Sequence, residues 1–346
     1  MSAAPRTVIH IGPGKTATTF LQARVFRNHS QINYLGKNHP NPELDDAIRK
    51  LTRLDSQRFP SQHVKNIFAA EIAAHPEKPV HLLSEELLGT WAFIDAHLIA
   101  VRLKDVFGAA TIIITLRNTI DWLQSIYFWC LQVGKFNAEW EFNEWVRYWT
   151  SHPPIGNPLS SLHTRHLTEV YASVFGEENI KFVVYEDLKR DSIGFAHGIA
   201  EIVGVDKEEM AAIFEAASKV KGEKSRISQA AADYFRRIDL VKGTNTNELV
   251  SFLNKHLDMY CRPESRDQLT TRIDALANTG ETKTADRYDL FMTVYKQTER
   301  QMPNTPSASA TLNPKLEKIL VDRFGKQLQW VQKKYGIDLA SRGYSL

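Results

Sequence analysis

Four short runs along the chain are apolar at nearly every position: Thr7 to Ile11, Val80 to Leu83, Thr111 to Leu116 and Ile180 to Tyr185. Runs this short with so little alternation predict strands covered on both faces, as in a parallel sheet, because a strand with one wet face would alternate. A weaker fifth run, QINYL at 31–35, fits the same role. Between these runs the apolar positions recur at helical spacing, over Ser61 to Ala74, His97 to Val106, Ile120 to Val133 and Leu162 to Phe175. Strand alternating with helix predicts a three-layer α/β fold on a parallel sheet with right-handed crossovers. Beyond residue 190 the strand pattern stops, and 193–218, 226–241, 247–260, 265–276, 284–300 and 313–335 all read as helix. The breaks fall at TNTN near 244 and at MPNTPSASATLNP, 302–314, whose Pro and Ser content suits an exposed linker. The expected organisation is an α/β domain over 1–225 and a helical C-terminal extension over 226–346, packed on the same domain.

Charge and cysteine content narrow the function classes without naming one. Against 40 acidic residues stand 43 basic ones, a formal net charge of +3, which is too balanced to point to nucleic acid. The two cysteines, Cys130 and Cys261, lack metal-ligand spacing and read as free thiols in a reducing compartment. The opening MSAAPRTVIHIG has neither the charged nor the apolar region of a signal peptide. No run reaches the roughly 18 apolar residues of a membrane span. A cytoplasmic setting is expected.

Candidate chemistry begins where the first strand ends. In TVIHIGPGKTATTF, 7–20, an apolar strand runs into a glycine-rich turn and then a helix. Gly14, Lys15 and Thr16 match the tail of the nucleotide-binding loop G-x-x-x-x-G-K-[ST], but its leading glycine would fall on Ile9. Gly12 stands only two residues before Gly14, so this loop is shorter and tighter. Its physics still favours an anion. Glycines let backbone N–H groups point inward, a helix N-terminus follows, Lys15 adds a charge, and Thr16, Thr18 and Thr19 add hydroxyls. The plainer alternative is a strand-to-helix turn with a solvated lysine.

A second constellation follows the strand TIIITL. Arg117 ends it, Asn118 suits an N-cap, Asp121 suits the first helical turn, and Ser125 lies one turn beyond Asp121 on the same face. An arginine at the carboxyl end of a central strand stands where α/β sheets bind ligands, and its fork suits a phosphate. The alternative pairs Arg117 with Asp121 and leaves Ser125 on the helix surface.

Taken together, the two stretches resemble the sulfotransferases that use 3′-phosphoadenosine 5′-phosphosulfate (PAPS). That family carries a loop of the type G-x-x-K-[ST]-[GA]-[ST]-[ST], here GPGKTATT over Gly12, Pro13, Gly14, Lys15, Thr16, Ala17, Thr18 and Thr19. It also carries an arginine and a serine separated by seven residues at a strand-to-helix junction, here RNTIDWLQS. A late strand into Tyr-Glu-[Asp/Glu]-Leu, here VVYEDL after Phe175-Gly176, is a third shared feature, and the likeness spans roughly 7–205. Two positions depart from the common pattern: Thr119 stands where proline is frequent, and Ala17 where glycine is.

The resemblance implies that the loop from Gly12 to Thr19 binds the 5′-phosphosulfate and that Lys15 stabilises the bridging oxygen as its bond breaks. It implies that Arg117 and Ser125 take the 3′-phosphate, and that no metal is required. An acceptor hydroxyl needs a base, and HLLSEELLG, 81–89, ends a buried strand in two carboxylates. Glu85 is the first candidate and Glu86 the second, with His10, His29 and His81 as further options. A basic stretch, SKVKGEKSRIS at 218–228, offers Lys221, Gly222, Lys224 and Arg226 to close over the donor. Trp122 and Trp129 read as helix core. The acceptor is expected to be a small molecule or glycan, with a carbohydrate hydroxyl as the reading put forward. The rival readings are a nucleotide-dependent kinase or NTPase with a degenerate phosphate loop, and an adaptor that retains a nucleotide pocket.

Overall fold

A computed structural model describes residues 5–89, 95–153, 156–219, 227–243, 245–261, 263–278, 283–303, 305–306 and 308–346. Strand β1 (Arg6–His10) feeds the loop 11–17 and a short helix α1 (Thr18–Phe20), which continues as a π-type turn over Leu21–Val25. Strand β2 (Ile32–Tyr34) leads to α2 (Pro42–Arg53) and α3 (Ser61–Ala73), and β3 (Val80–Ser84) to α4 (Ala96–Phe107). Strand β4 (Thr111–Leu116) opens into α5 (Thr119–Gln132), followed by α6 (Phe142–Thr150), α7 (Thr164–Phe175) and β5 (Ile180–Val184). Helices α8 (Tyr185–Arg190), α9 (Ser192–Val203) and α10 (Lys207–Lys219) complete this half. Then come α11 (Gln229–Arg236), α12 (Asp239–Lys242), α13 (Thr246–Tyr260), α14 (Pro263–Asn278), α15 (Thr284–Thr298), α16 (Pro314–Leu320) and α17 (Lys326–Tyr335). Among the described residues no helix is long and apolar enough to cross a membrane.

All five strands are parallel, in the order β2-β3-β1-β4-β5. The strands expected from the apolar runs are present within a residue of their expected limits, QINYL included. Each alternates its side chains between two cores, which is why the runs look continuously apolar. Ile9, Leu83, Ile112, Ile114 and Val184 face a core built with α2, α3, α4, α7 and α17. Val8, Leu82, Ile113 and Val183 face the opposite core, built with the Leu21–Val25 turn, α9 and α10. This is the expected three-layer α/β sandwich. The chain leaves β1 toward β2 and β3 on one side and turns to β4 and β5 on the other. The reversal opens a crevice at the carboxyl ends of β1 and β4, where such sheets bind ligands.

The chain separates into two compact units, one of Met1–Leu123, Tyr148–Gly222 and Asn313–Leu346, the other of Gln124–Arg147 and Glu223–Leu312. Of the stretch 226–346, residues 226–312 fall in the second unit together with Gln124–Arg147, and the last 34 residues, Asn313–Leu346, return to the first unit. The reason is local, since Leu328 and Val331 of α17 are buried in the core that α7 and the sheet share. The expected helix 193–218 is two helices because Gly204, at φ 80°, ends α9 in the left-handed region. Helix α2 lies outside the helices expected, although Asn41 accepts the Glu43 N–H as a cap and Pro42 opens the first turn. In the second unit an aromatic cluster of Tyr234, Phe235, Phe252, Phe291 and Tyr295 forms the core, and the buried Tyr234 hydroxyl donates to the Phe291 carbonyl.

Candidate active site

The loop after β1 is held by its carbonyl groups. The Pro13 carbonyl accepts from the hydroxyls of Thr16 at 2.6 Å and Thr18 at 3.0 Å. The Gly14 carbonyl accepts from the Trp122 indole at 2.9 Å. The Lys15 carbonyl accepts from Arg117 Nη1. In a trans peptide plane the next N–H points away from the carbonyl. Three consecutive carbonyls tied into the protein therefore turn the N–H groups of Gly14, Lys15 and Thr16 the other way, as a concavity for an anion needs. Lys15 and Ala17 sit at φ 69° and 62°, the left-handed region that curls such a loop. A Cβ built on Gly14 meets nothing within 4 Å, so the loop leaves open space at that residue.

Below the loop a buried histidine joins three strands. His10 lies between Ser84 Oγ, 2.8 Å from Nδ1, and Thr115 Oγ1, 2.8 Å from Nε2. Gln22 Nε2 donates to both the carbonyl and the hydroxyl of Ser84 at 3.2 Å. Both ring nitrogens of His10 thus face a hydroxyl, one nitrogen donating and the other accepting according to the tautomer. Burial holds the His10 pKa down at about 4, so the ring is neutral at physiological pH. His10 is a brace under the loop, tying β1 to β3 and β4 where each strand ends. Gly12 packs directly on it: a Cβ there would lie 2.5 Å from His10 Nε2 and 3.0 Å from Thr115 Oγ1. With both ring nitrogens engaged, Gly12→Ala is expected to destabilise the protein by about 1–3 kcal/mol through overpacking. Equilibrium urea unfolding checks this, and an unchanged midpoint would contradict it.

Arg117 leaves β4 toward the loop, and its guanidinium carbon lies 4.5 Å from the centre of the Tyr185 ring. Asn118 caps α5 as expected, its Oδ1 accepting from Ile120 at 3.0 Å and from Asp121 at 3.4 Å. Asp121 pairs with Lys189 at 3.7 Å. Ser125 is buried on α5, in the stretch assigned to the second unit. The hydroxyls of Thr16 and Thr18 are turned to Pro13, whereas Thr19 is exposed.

The two carboxylates after β3 have separate environments. Glu85 is 5 % exposed, its Oε1 accepts the Leu87 N–H at 3.0 Å, and burial raises its pKa above the ordinary value. Glu86 is half-buried and pairs with Lys37 at 3.0 Å. His29 accepts the Gln31 N–H on Nδ1 at 3.2 Å and faces the Asp206 carbonyl through Nε2, just before β2 begins. His81, second residue of β3, contacts Asn33 at 3.3 Å. Both are structural histidines near the amino ends of their strands. Lys221, Gly222, Lys224 and Arg226 lie outside the described residues. Trp122, read from the sequence as helix core, is buried and also donates to the loop, and Tyr185, noted only as part of the last strand run and of VVYEDL, lies against Arg117. The available signal for Trp122 was that a buried indole N–H seeks an acceptor.

The fold is a parallel α/β sheet with a glycine-containing loop and short helix after β1 and an arginine after β4. Residues 5–270 match the family described as sulfotransferase domain, and the chain belongs to that family. It is a sulfotransferase. Among solved structures, a sulfotransferase from Alicyclobacillus acidocaldarius aligns over 62% of this chain and 93% of its own, at 17% identity and TM-score 0.43. Mouse sulfotransferase SULT7A1 complexed with PAP aligns over 65% and 69%, at 15% identity and TM-score 0.39. The sulfotransferase domain from the Synechococcus PCC 7002 olefin synthase aligns over 84% and 94%, at 14% identity and TM-score 0.37. No curated protein matches the chain.

Proposed function

We propose that the protein transfers a sulfuryl group from PAPS to an acceptor hydroxyl, with the loop from Gly12 to Thr19 as the 5′-phosphosulfate site. The observation that carries this reading is the anchoring of the Pro13, Gly14 and Lys15 carbonyls, since in a trans peptide the following N–H groups then point away from those donors, as binding an anion requires. The bound donor supplies an activated S–O bond to a phosphate leaving group. Lys15 neutralises the charge that develops on the leaving oxygen as this bond breaks, and the loop N–H groups hold the phosphate still. Arg117, with Ser125 named by the same signature, takes the 3′-phosphate. Glu85 accepts the proton of the attacking hydroxyl, since its buried carboxylate has a raised pKa suited to a base. Glu86 is the second choice because its carboxylate is committed to Lys37. Lys224 and Arg226 belong to the basic stretch proposed to close over the donor. A carbohydrate hydroxyl is the proposed acceptor.

Calorimetric titration with 3′-phosphoadenosine 5′-phosphate (PAP) in EDTA, with ATP in parallel, tests the donor. Metal-independent binding of PAP at least ~10-fold tighter than ATP is expected. Magnesium-dependent binding of ATP in its place would sink the proposal in favour of a kinase-like site.

A further inference from the structure

We propose that the segment Asp338–Tyr344 is a strap that positions Arg117 for the 3′-phosphate, with Arg342 and Tyr344 as positioning residues. This rests on the reading above that Arg117 binds that phosphate, and adds a part of the chain outside the stretch 5–270 that matches the family.

Arg117 donates to the Lys15 carbonyl and lies over the Tyr185 ring. The strap grips the neighbours of both the arginine and the ring. Asn118, next in the chain to Arg117, donates through Nδ2 to the Gly343 carbonyl at 2.8 Å. Its backbone N–H donates to Glu186 Oε1 at 3.0 Å, and the other oxygen of Glu186 accepts the Tyr344 hydroxyl at 2.6 Å. One carboxylate thus links the residue after Arg117 to the strap through a short, charge-assisted bond. Arg342 Nε donates to both oxygens of Asp187, at 2.8 and 2.9 Å, so the residues that follow Tyr185 are held as well.

The strap itself is anchored. Leu339 is fully buried and Tyr344 is 6 % exposed, both in the core that carries β4 and β5. Gly343, at φ 79°, lets the chain turn between them, and the Tyr344 N–H returns to the Leu339 carbonyl at 3.3 Å. The charged groups around the Tyr344 hydroxyl are Glu186, Asp187 and Arg117; burial and the two carboxylates keep the phenol protonated, against the arginine. It is therefore a constant donor, and the strap acts as fixed geometry. An arginine pre-set toward a phosphate loses less side-chain freedom on binding, which gives affinity without a new contact.

The test separates this role from general stability by comparing two ligands that differ in one phosphate. Wild type, Arg117→Met, Tyr344→Phe and Arg342→Met are titrated with PAP and with AMP, which lacks the 3′-phosphate. Tyr344→Phe removes one oxygen and keeps the buried ring, so it carries the test if Arg342→Met does not fold. Arg117→Met should weaken PAP more than AMP, because AMP loses only what the bond to the Lys15 carbonyl contributes to the loop. Each strap variant keeps that bond and should weaken PAP roughly tenfold with AMP unchanged. Equal losses for both ligands, or no loss for either, would overturn the strap while leaving the donor site standing. If wild type does not prefer PAP to AMP, or Arg117→Met does not weaken PAP more than AMP, the reading of Arg117 fails and the strap falls with it.

Discussion

Lys15→Met is expected to lower kcat by about 10²–10³-fold, the size seen when one preorganised group is withdrawn from developing charge. The fold should hardly notice. The loop is shaped by the bonds to the carbonyls of Pro13, Gly14 and Lys15 and by His10 beneath it, and none of these involves the lysine ammonium group. Methionine keeps the length of the stem and meets the same left-handed backbone at φ 69°. The melting temperature should therefore hold, and PAP should bind only about tenfold more weakly, because the N–H groups remain. That split matters, since a merely structural lysine would lower kcat and stability together. A variant with kcat within about threefold of wild type would remove Lys15 from the chemistry. The measurement is steady-state kinetics at saturating donor, with thermal melts on the same preparations.

How far the sequence carried this picture depended on the kind of signal. The sheet was legible because each strand is buried on both faces, so that Val8 and Ile9, or Leu82 and Leu83, both had to be apolar although they enter different cores. The loop stood out as a candidate because a glycine-rich turn with a lysine, between a first strand and a helix, is a context in which anions bind. The departure at Ala17 acquires a physical meaning in the structure: the position is at φ 62°, where glycine has no Cβ to strain the backbone. Long-range partners were not legible. Nothing in the spacing of His10, Ser84 and Thr115 says that they meet, because strand order and register bring them together. The return of α17 to the first unit, and the meeting of Tyr344 with Glu186 across 158 residues, are of the same kind. Local chemistry can be read along the chain, whereas contacts set by topology cannot.

The other large effect concerns Glu85, where activity and stability should move in opposite directions. Glu85→Gln removes the base but keeps an oxygen to accept the Leu87 N–H that Glu85 Oε1 now accepts at 3.0 Å. A fall of about 10²–10⁴-fold in kcat is expected for the loss of a general base. Wild-type kcat/KM should rise with pH through a value above the ordinary glutamate pKa, as the buried carboxyl loses its proton, and the glutamine variant should lack this limb. The sign for stability follows from the same shift. A carboxyl whose folded pKa lies above its unfolded pKa binds protons more strongly in the folded state, so its contribution is fully present below the unfolded pKa. As pH rises through the folded pKa that contribution is lost, because a charge is then held in a site from which water is excluded. Glutamine carries no such charge. Above the folded pKa the variant should therefore be more stable than wild type, and below the unfolded pKa the two should converge. Glu86→Gln is the comparison, since breaking its partly exposed pair with Lys37 should cost no more than about 1 kcal/mol and leave kcat near wild type. If Glu86→Gln abolished turnover while Glu85→Gln retained it, the base would be Glu86, and the burial of Glu85 would serve only the turn it caps.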